Sequence, residues 1–174
     1  LYADTPEHKQ FSQHANVLAV LADLSTGDEA RDIVSRILND TELVQCSYYF
    51  KHYLHTAVNK VGLGDRYVDL LSGWQDMLDR GLTTFAEQAD PTRSDCHAWS
   101  ASPNFEIFRT IVGIDSSSFG FKSVTIRPFP GKLGKVSGAI PHPKGEISVK
   151  YEVKNSGISA EVVLPPGVTG TFQW

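Results

Sequence analysis

Hydrophobic side chains in the first two thirds of the chain recur every three to four residues. That spacing places them on one face of an α-helix, where they can pack against a core. Short connections between such helices favour antiparallel neighbours. The sequence therefore predicts five helices, whose apolar stripes are Val17, Val20, Leu21 and Leu24; Ala30, Ile33, Val34 and Ile37; Phe50, Tyr53, Leu54, Ala57, Val58 and Val61; Tyr67, Leu70, Leu71, Trp74 and Leu78; and Phe105, Phe108, Ile111 and Val112.

Residues typical of helix ends mark several of the boundaries. The Ser-Thr-Gly segment at 25–27 is expected to end the first helix, and Gly62 is expected to end the third with a left-handed cap. Asp65 is the expected N-cap of the fourth helix. Ser102 is expected to cap the fifth helix, with Pro103 at its first position.

Apolar and polar residues alternate after residue 114. Alternation from Ile147 to Val153 predicts a strand with one buried face and one face in water. The Asn155-Ser156-Gly157 segment follows, and the alternation resumes from Ile158 to Leu164, which predicts a β-hairpin. A small antiparallel β-sandwich is the expected result, with further strands at Ser123–Arg127, Val136–Ile140 and Val168–Trp174.

Glycine and proline are distributed unevenly along the chain. Residues 1–112 contain five Gly and three Pro, whereas residues 113–174 contain nine Gly and six Pro. Turn residues therefore become frequent where the hydrophobic period changes from helical to strand-like. We expect an α+β fold in two parts, with the helices at residues 1–114 and the strands at residues 115–174.

Charge and cysteine content exclude several classes of protein. Sixteen basic and twenty acidic residues give a net charge of −4, which disfavours nucleic acid and anionic membranes as partners. Cys46 and Cys96 are too few for a disulfide scaffold or a four-cysteine zinc site. Met77 is the only methionine, so Leu1 is not a translation start, and we expect a removed leader or a longer polypeptide.

The segment Gly81–Ser100 has no helical or strand period, although it is rich in ionisable and aromatic side chains. Loops of this length inside a helical domain are uncommon and are often functional. A solvated connection is the alternative interpretation, and the pattern alone does not separate the two.

Motifs in this loop and on both sides of it resemble one enzyme family. The Thr83-Thr84-Phe85-Ala86-Glu87 segment, with His97 ten residues after the glutamate in the segment Ser94–Ser100, resembles the active site of the α-L-rhamnosidases of glycoside hydrolase family 78. Segments on both sides of the loop also resemble parts of this family, at residues 11–15, 121–128, 136–138 and 145–147. The order and spacing of the motifs carry the resemblance, which covers nearly the whole chain.

The resemblance implies a fold, a reaction and the residues of a site. The implied fold is the helices of an incomplete (α/α)6 barrel followed by a small β-sandwich. The implied reaction is hydrolysis of terminal α-L-rhamnose with inversion, with Glu87 as general base and His97 in contact with the sugar. Ala86 stands where many members have tryptophan, which leaves the substrate preference open. No cofactor and no metal are implied.

Inverting hydrolysis needs a carboxylate base and a carboxylic acid ~6.5–9.5 Å apart. Glu87 has to be ionised to take a proton from water. His97 is expected to hold sugar hydroxyls or to orient Glu87, and Trp99 either offers a ring face to the sugar or packs beneath the loop. No segment of residues 1–80 resembles the one that carries the acid, so we expect the remainder of a longer polypeptide to supply it. Enzymes that trim plant or bacterial polysaccharides often act outside the cytoplasm, which favours a periplasmic or extracellular location.

Other interpretations remain open at this point. One is a non-catalytic carbohydrate-binding or structural module, and another is an (α/α)6 glycosidase or phosphorylase for a different sugar. His52 and His55 share a helix face, but no third metal ligand accompanies them. A nucleophile at Ser94 or Cys96 paired with His97 is disfavoured, because residues so close in sequence rarely present their side chains to each other. Tyr48–Lys51 are further candidates for substrate contact.

Overall fold

A computed structural model describes residues 1–154 and 157–174 and divides into two compact units, residues 1–103 and 104–174. The predicted turn at Asn155 and Ser156 lies outside the described residues. Among the helices of the described part, none has the length and apolar character needed to cross a membrane.

The first unit is helical. Single 3-10 turns at Gly64–Arg66, Val68–Leu71 and Ala98–Ala101 connect or follow its helices. The α-helices are α1 (Gln13–Leu21), α2 (Gly27–Asn39), α3 (Tyr48–Lys60) and α4 (Ser72–Asp79). Gly62 has a φ of 72° and follows the end of α3, as its sequence position predicts.

The core of the first unit is built from α1, α2 and α3. All four residues of the predicted α2 stripe are buried, which confirms the orientation expected for that helix. Buried Gln13 on α1 strengthens the packing, because its amide donates to the carbonyl of Ile37 at 2.8 Å and accepts from the backbone of Cys46 at 2.8 Å. The cluster consists of Val17, Val20, Ala30, Ile33, Val34, Ile37, Leu43, Cys46, Leu54, Ala57 and Val58.

Three predicted features of the first and fourth helices are wrong. Helix α1 ends at Leu21, and Leu24 is exposed because the chain turns at Asp23, whose φ is 58°. Asp65 lies within a 3-10 turn and is not the N-cap of a long helix. A 3-10 turn has about three residues instead of 3.6, so the stripe loses its register and Leu78 is exposed on α4.

Helix α5 (Pro103–Glu106) continues as a π-helical turn, Ile107–Ile111. Its start at Pro103 is confirmed. The predicted cap at Ser102 is wrong, because Ser102 has helical backbone angles of φ −52° and ψ −29° and follows directly from the preceding 3-10 turn.

The second unit consists of two three-stranded sheets, with strand orders β1-β2-β6 and β3-β4-β5. The strands are β1 (Ile114–Ser116), β2 (Ser123–Ile126), β3 (Lys135–His142), β4 (Gly145–Lys154), β5 (Gly157–Val163) and β6 (Thr169–Phe172). Three of the four strand pairs are antiparallel, as expected, but β6 is parallel to β2. The α+β fold class is therefore confirmed, with this one departure from an antiparallel sandwich.

The two sheets share one apolar core. It includes Ile147, Val149 and Tyr151, the alternate residues of β4 that the sequence pattern places inside. The buried hydroxyl of Tyr151 donates to the carbonyl of Ile111, which joins β4 to the π-helical turn. Gly138 on β3 lies against Val112, where a side chain would leave no room for the valine methyl groups.

Candidate active site

The loop between α4 and α5 folds back on itself. The backbone N–H of Glu87 donates to the carbonyl of Ser94 at 2.9 Å, and the N–H of His97 donates to the carbonyl of Phe85 at 2.7 Å. The hydroxyl of Thr84 also donates to the carbonyl of Asp95. These bonds close residues 88–93 into a smaller loop and set Glu87 opposite the segment that carries His97.

A hydrophobic cluster anchors the start of this loop in the first unit. Ala86 is fully buried beside Tyr48, Trp74 and Met77. The indole N–H of Trp74 donates to the carbonyl of Ser100 at 2.7 Å, which fixes the other end of the loop. The small side chain at position 86 thus serves as an anchor next to Glu87.

The carboxylate of Glu87 is held by Arg93 and lies near His97. Its side chain is only 15% exposed. Arg93 donates from Nε to Oε2 at 2.9 Å and from Nη2 to Oε1, in a two-point contact between guanidinium and carboxylate. His97 Nε2 lies 3.9 Å from Oε1, which is too far for a direct hydrogen bond. The carboxylate therefore has a fixed plane, with one oxygen towards the imidazole.

Aromatic rings continue the surface beyond His97. The ring centroids of His97 and Trp99 are 4.3 Å apart, and those of Trp99 and Tyr49 are 5.3 Å apart. Trp99 is 48% exposed and Tyr49 is 45% exposed, so both rings are open to solvent on one side. The contact of Trp99 with a sugar stays a prediction.

The residues around Tyr49 have structural contacts. Tyr48 is buried, and its hydroxyl donates to the carbonyl of Gly73 at 3.2 Å. Lys51 Nζ lies 5.0 Å from the ring centroid of Tyr48 and 5.4 Å from that of Trp74. Burial lowers the pKa of Lys51, and burial raises the pKa of the Cys46 thiol to about 12 against the opposing charge of Lys51. Of the candidates Tyr48–Lys51, Tyr49 is thus the one on the aromatic surface of the loop.

The other predicted candidates contact residues other than Glu87 and His97. His55 is buried, with its ring centroid 4.9 Å from that of Tyr67, and His52 contacts the ring of Tyr53. Within the described part of the chain, no three His, Cys, Asp or Glu side chains are grouped as a metal site would require. Cys96 is exposed, and its backbone N–H donates to the hydroxyl of Ser94 at 3.3 Å.

Sequence reasoning missed Arg93 altogether. Its contact with Glu87 spans six residues of an irregular loop, and no helical or strand period connects the two positions. The only signal in the sequence was opposite charge within a loop already considered functional.

Comparison with known proteins shows what this chain is similar to. Residues 113–173 match the bacterial α-L-rhamnosidase C-terminal domain. An α-L-rhamnosidase of Formosa agariphila is 24% identical over 163 residues, which are 86% of this chain and 16% of that protein.

Two solved structures also align with nearly the whole chain. The family 78 rhamnosidase of Bacillus sp. GL1 gives a TM-score of 0.75 at 27% identity, over 94% of this chain and 20% of that one. The α-L-rhamnosidase of Streptomyces avermitilis, complexed with L-rhamnose, gives a TM-score of 0.77 at 22% identity, over 92% of this chain and 18% of that one.

These matches confirm the resemblance to the α-L-rhamnosidases of glycoside hydrolase family 78. This chain corresponds to their C-terminal part. It spans about a fifth or less of the length of the relatives that it matches.

Proposed function

We propose that this chain is the C-terminal part of an inverting glycosidase that releases terminal α-L-rhamnose from a glycan or glycoside. In this proposal residues 1–114 are the last helices of an (α/α)6 catalytic barrel, and residues 115–174 are its C-terminal β-sandwich domain. The observation that carries the proposal is the shielded carboxylate of Glu87, held 3.9 Å from His97 beside two accessible aromatic rings.

Glu87 is the general base of the proposed reaction. A water oxygen attacks the anomeric carbon while one of its protons passes to a carboxylate oxygen of Glu87. The bond between that carbon and the leaving oxygen breaks, and a carboxylic acid protonates the leaving oxygen. Glu87 suits this role because Arg93 orients its carboxylate and because its side chain is partly shielded from bulk water.

His97 and the aromatic rings suit the recognition of a deoxy sugar. The Nε2 atom of His97 faces the same side as the free edge of the carboxylate, where sugar hydroxyls can hydrogen-bond to it. Trp99 offers an apolar ring to the C–H groups and methyl group of rhamnose, and Tyr49 extends that surface.

A longer polypeptide has to supply the general acid. Without an acid the leaving oxygen departs as an unstable alkoxide, so base catalysis alone gives no useful turnover. We therefore expect purified residues 1–174 to hydrolyse no aryl α-L-rhamnoside, and robust turnover by this chain alone would contradict the proposal.

The test is Glu87→Gln in the longer polypeptide that contains this chain. The amide keeps the size of the side chain but cannot accept the proton, so kcat should fall by roughly 10²–10⁴-fold while KM changes little. Glu161→Gln, on the exposed face of β5, is the control and should leave both constants unchanged. The unmodified enzyme should first release the β-anomer of L-rhamnose, as followed by proton NMR.

Several results would contradict the proposal. Unchanged hydrolysis in Glu87→Gln would leave the chain as a non-catalytic carbohydrate-binding or structural module. First release of the α-anomer would indicate a retaining mechanism and a different role for Glu87. Release of a sugar other than rhamnose from a panel of aryl glycosides, or release only with phosphate, would assign the site to another (α/α)6 enzyme.

A further inference from the structure

We propose that Arg93 is a positioning residue that fixes the carboxylate of Glu87 for catalysis, an inference that rests on the proposed role of Glu87 as general base. The guanidinium contacts both carboxylate oxygens, Nε to Oε2 at 2.9 Å and Nη2 to Oε1. Two parallel contacts prevent the carboxylate from rotating about its terminal bond, which a single contact does not.

The contact leaves the carboxylate able to react. A carboxylate oxygen has two lone pairs, and Arg93 occupies one on each oxygen. The second lone pair of Oε1 is not used by Arg93, and His97 Nε2 lies 3.9 Å from this oxygen. Two atoms at this separation can each be ~2.8 Å, a usual hydrogen-bond distance, from one water or hydroxyl oxygen. Arg93 therefore sets the direction from which Glu87 receives a proton.

Contacts of residues 88–93 hold this small loop in a shape that places Arg93 close to Glu87. Arg80 donates to Asp90 at 3.0 Å, and the side-chain amide of Gln88 donates to the carbonyl of Pro91 at 3.1 Å. Thr92 donates from its hydroxyl to the carbonyl of Ser94 at 2.9 Å, next to the backbone bond that closes the loop. These contacts hold the backbone of the loop. The long side chain of Arg93 can therefore extend across the loop to the carboxylate of Glu87.

The ion pair between Arg93 and Glu87 joins an exposed guanidinium to a shielded carboxylate. The Arg93 side chain is 76% exposed, so solvent screens part of the attraction, although a two-point contact of this kind can still contribute to folding. Among the described residues, the side chain of Arg93 makes no other hydrogen bond or ion pair. Both hydrogen bonds that its guanidinium makes within the described residues therefore go to the one carboxylate that the proposed reaction uses.

The test compares Arg93→Met, Arg93→Lys and Glu87→Gln in the longer polypeptide, with an aryl α-L-rhamnoside as substrate. Arg93→Met should lower kcat by about 10–100-fold, the size of effect expected for a misplaced catalytic group, with KM changed by less than about threefold. Arg93→Lys should give an intermediate kcat, since an ammonium lacks the planar fork. Arg36→Met, an exposed arginine on α2, is the matched control and should change neither constant.

A second measurement separates positioning from a general effect on folding. Low concentrations of guanidinium should restore part of the kcat of Arg93→Ala, because the free cation can occupy the vacated place. The same additive should not raise the kcat of Glu87→Gln. Circular dichroism should show a folded protein for each Arg93 variant at the assay temperature, so that a lower kcat reports on the position of Glu87 and not on loss of the fold.

The outcomes distinguish this inference from the proposed function. If Glu87→Gln loses activity while Arg93→Met keeps it, Arg93 has no positioning role and this inference alone is overturned. A raised KM with unchanged kcat in Arg93→Met would also overturn it, because Arg93 would then bind substrate directly. Full activity of Glu87→Gln would remove the proposed function itself.

Discussion

His97 Nε2 lies 3.9 Å from Glu87 Oε1 although the two residues are ten positions apart in an irregular loop. Backbone bonds between Glu87 and Ser94 and between Phe85 and His97 produce this closeness. The imidazole is further held by the ring of Trp99, at a centroid distance of 4.3 Å. The separation suits a pair of side chains that share a bound hydroxyl group rather than one that bonds directly.

Replacement of His97 should therefore affect the reaction more than the fold. In the longer polypeptide, His97→Ala should lower kcat/KM for an aryl α-L-rhamnoside by about 10–100-fold, the value of a lost hydrogen bond to a polar group on the substrate. Steady-state kinetics measure the effect. His8→Ala, in the exposed N-terminal segment, is the control. Unchanged kcat/KM in His97→Ala would mean that the imidazole contacts no substrate.

The two cysteines should differ in reactivity with iodoacetamide at pH 8. Burial raises the pKa of the Cys46 thiol to about 12, so at pH 8 it is protonated and unreactive as well as inaccessible. Cys96 is exposed and should be modified. Mass spectrometry should find one label on the folded chain and two after unfolding. Cys96→Ser should remove the label from the folded chain, and rapid labelling of Cys46 in that variant would contradict its burial.

The close packing at Gly138 should make this position intolerant of a side chain. A β-carbon there would come within 2.7 Å and 2.8 Å of the two methyl carbons of Val112. Gly138→Ala should lower the free energy of unfolding of the strand-containing unit by ~1–3 kcal/mol, the usual cost of overpacking. Gly134→Ala is the matched control, because a β-carbon at Gly134 meets no atom within 4 Å. Equal denaturant midpoints for the two variants would show that Val112 can move aside.

Patterns that depend on one element were predictable from the sequence. The α2 stripe is buried in full, and alternate residues of β4 face the core, because each pattern follows from the geometry of a single helix or strand. The exposed Leu78 was not predictable, since the 3-10 turns before α4 alter the register without a distinct sequence signal.

Features that depend on two distant segments were harder to predict. Alternation indicates that β6 is a strand, but it does not say that β2 is its partner or that the pair is parallel. The position of Arg93 on Glu87 likewise depends on the closure of a loop. The resemblance to a family identified Glu87 and His97 as candidates, and Trp99 was a candidate as an aromatic ring in the same loop. Arg93 and the contact of Tyr49 with Trp99 required coordinates.

The self-closed loop has a consequence for how related chains can diverge. Because the backbone bond from Glu87 to Ser94 seals its base, residues can be inserted at its tip without separating Glu87 from His97. Doubling the length of a flexible loop costs only about 0.6 kcal/mol in closure entropy. Insertions and deletions at the tip are thus a low-cost route by which evolution can reshape the rim of this site while its two opposed side chains keep their places.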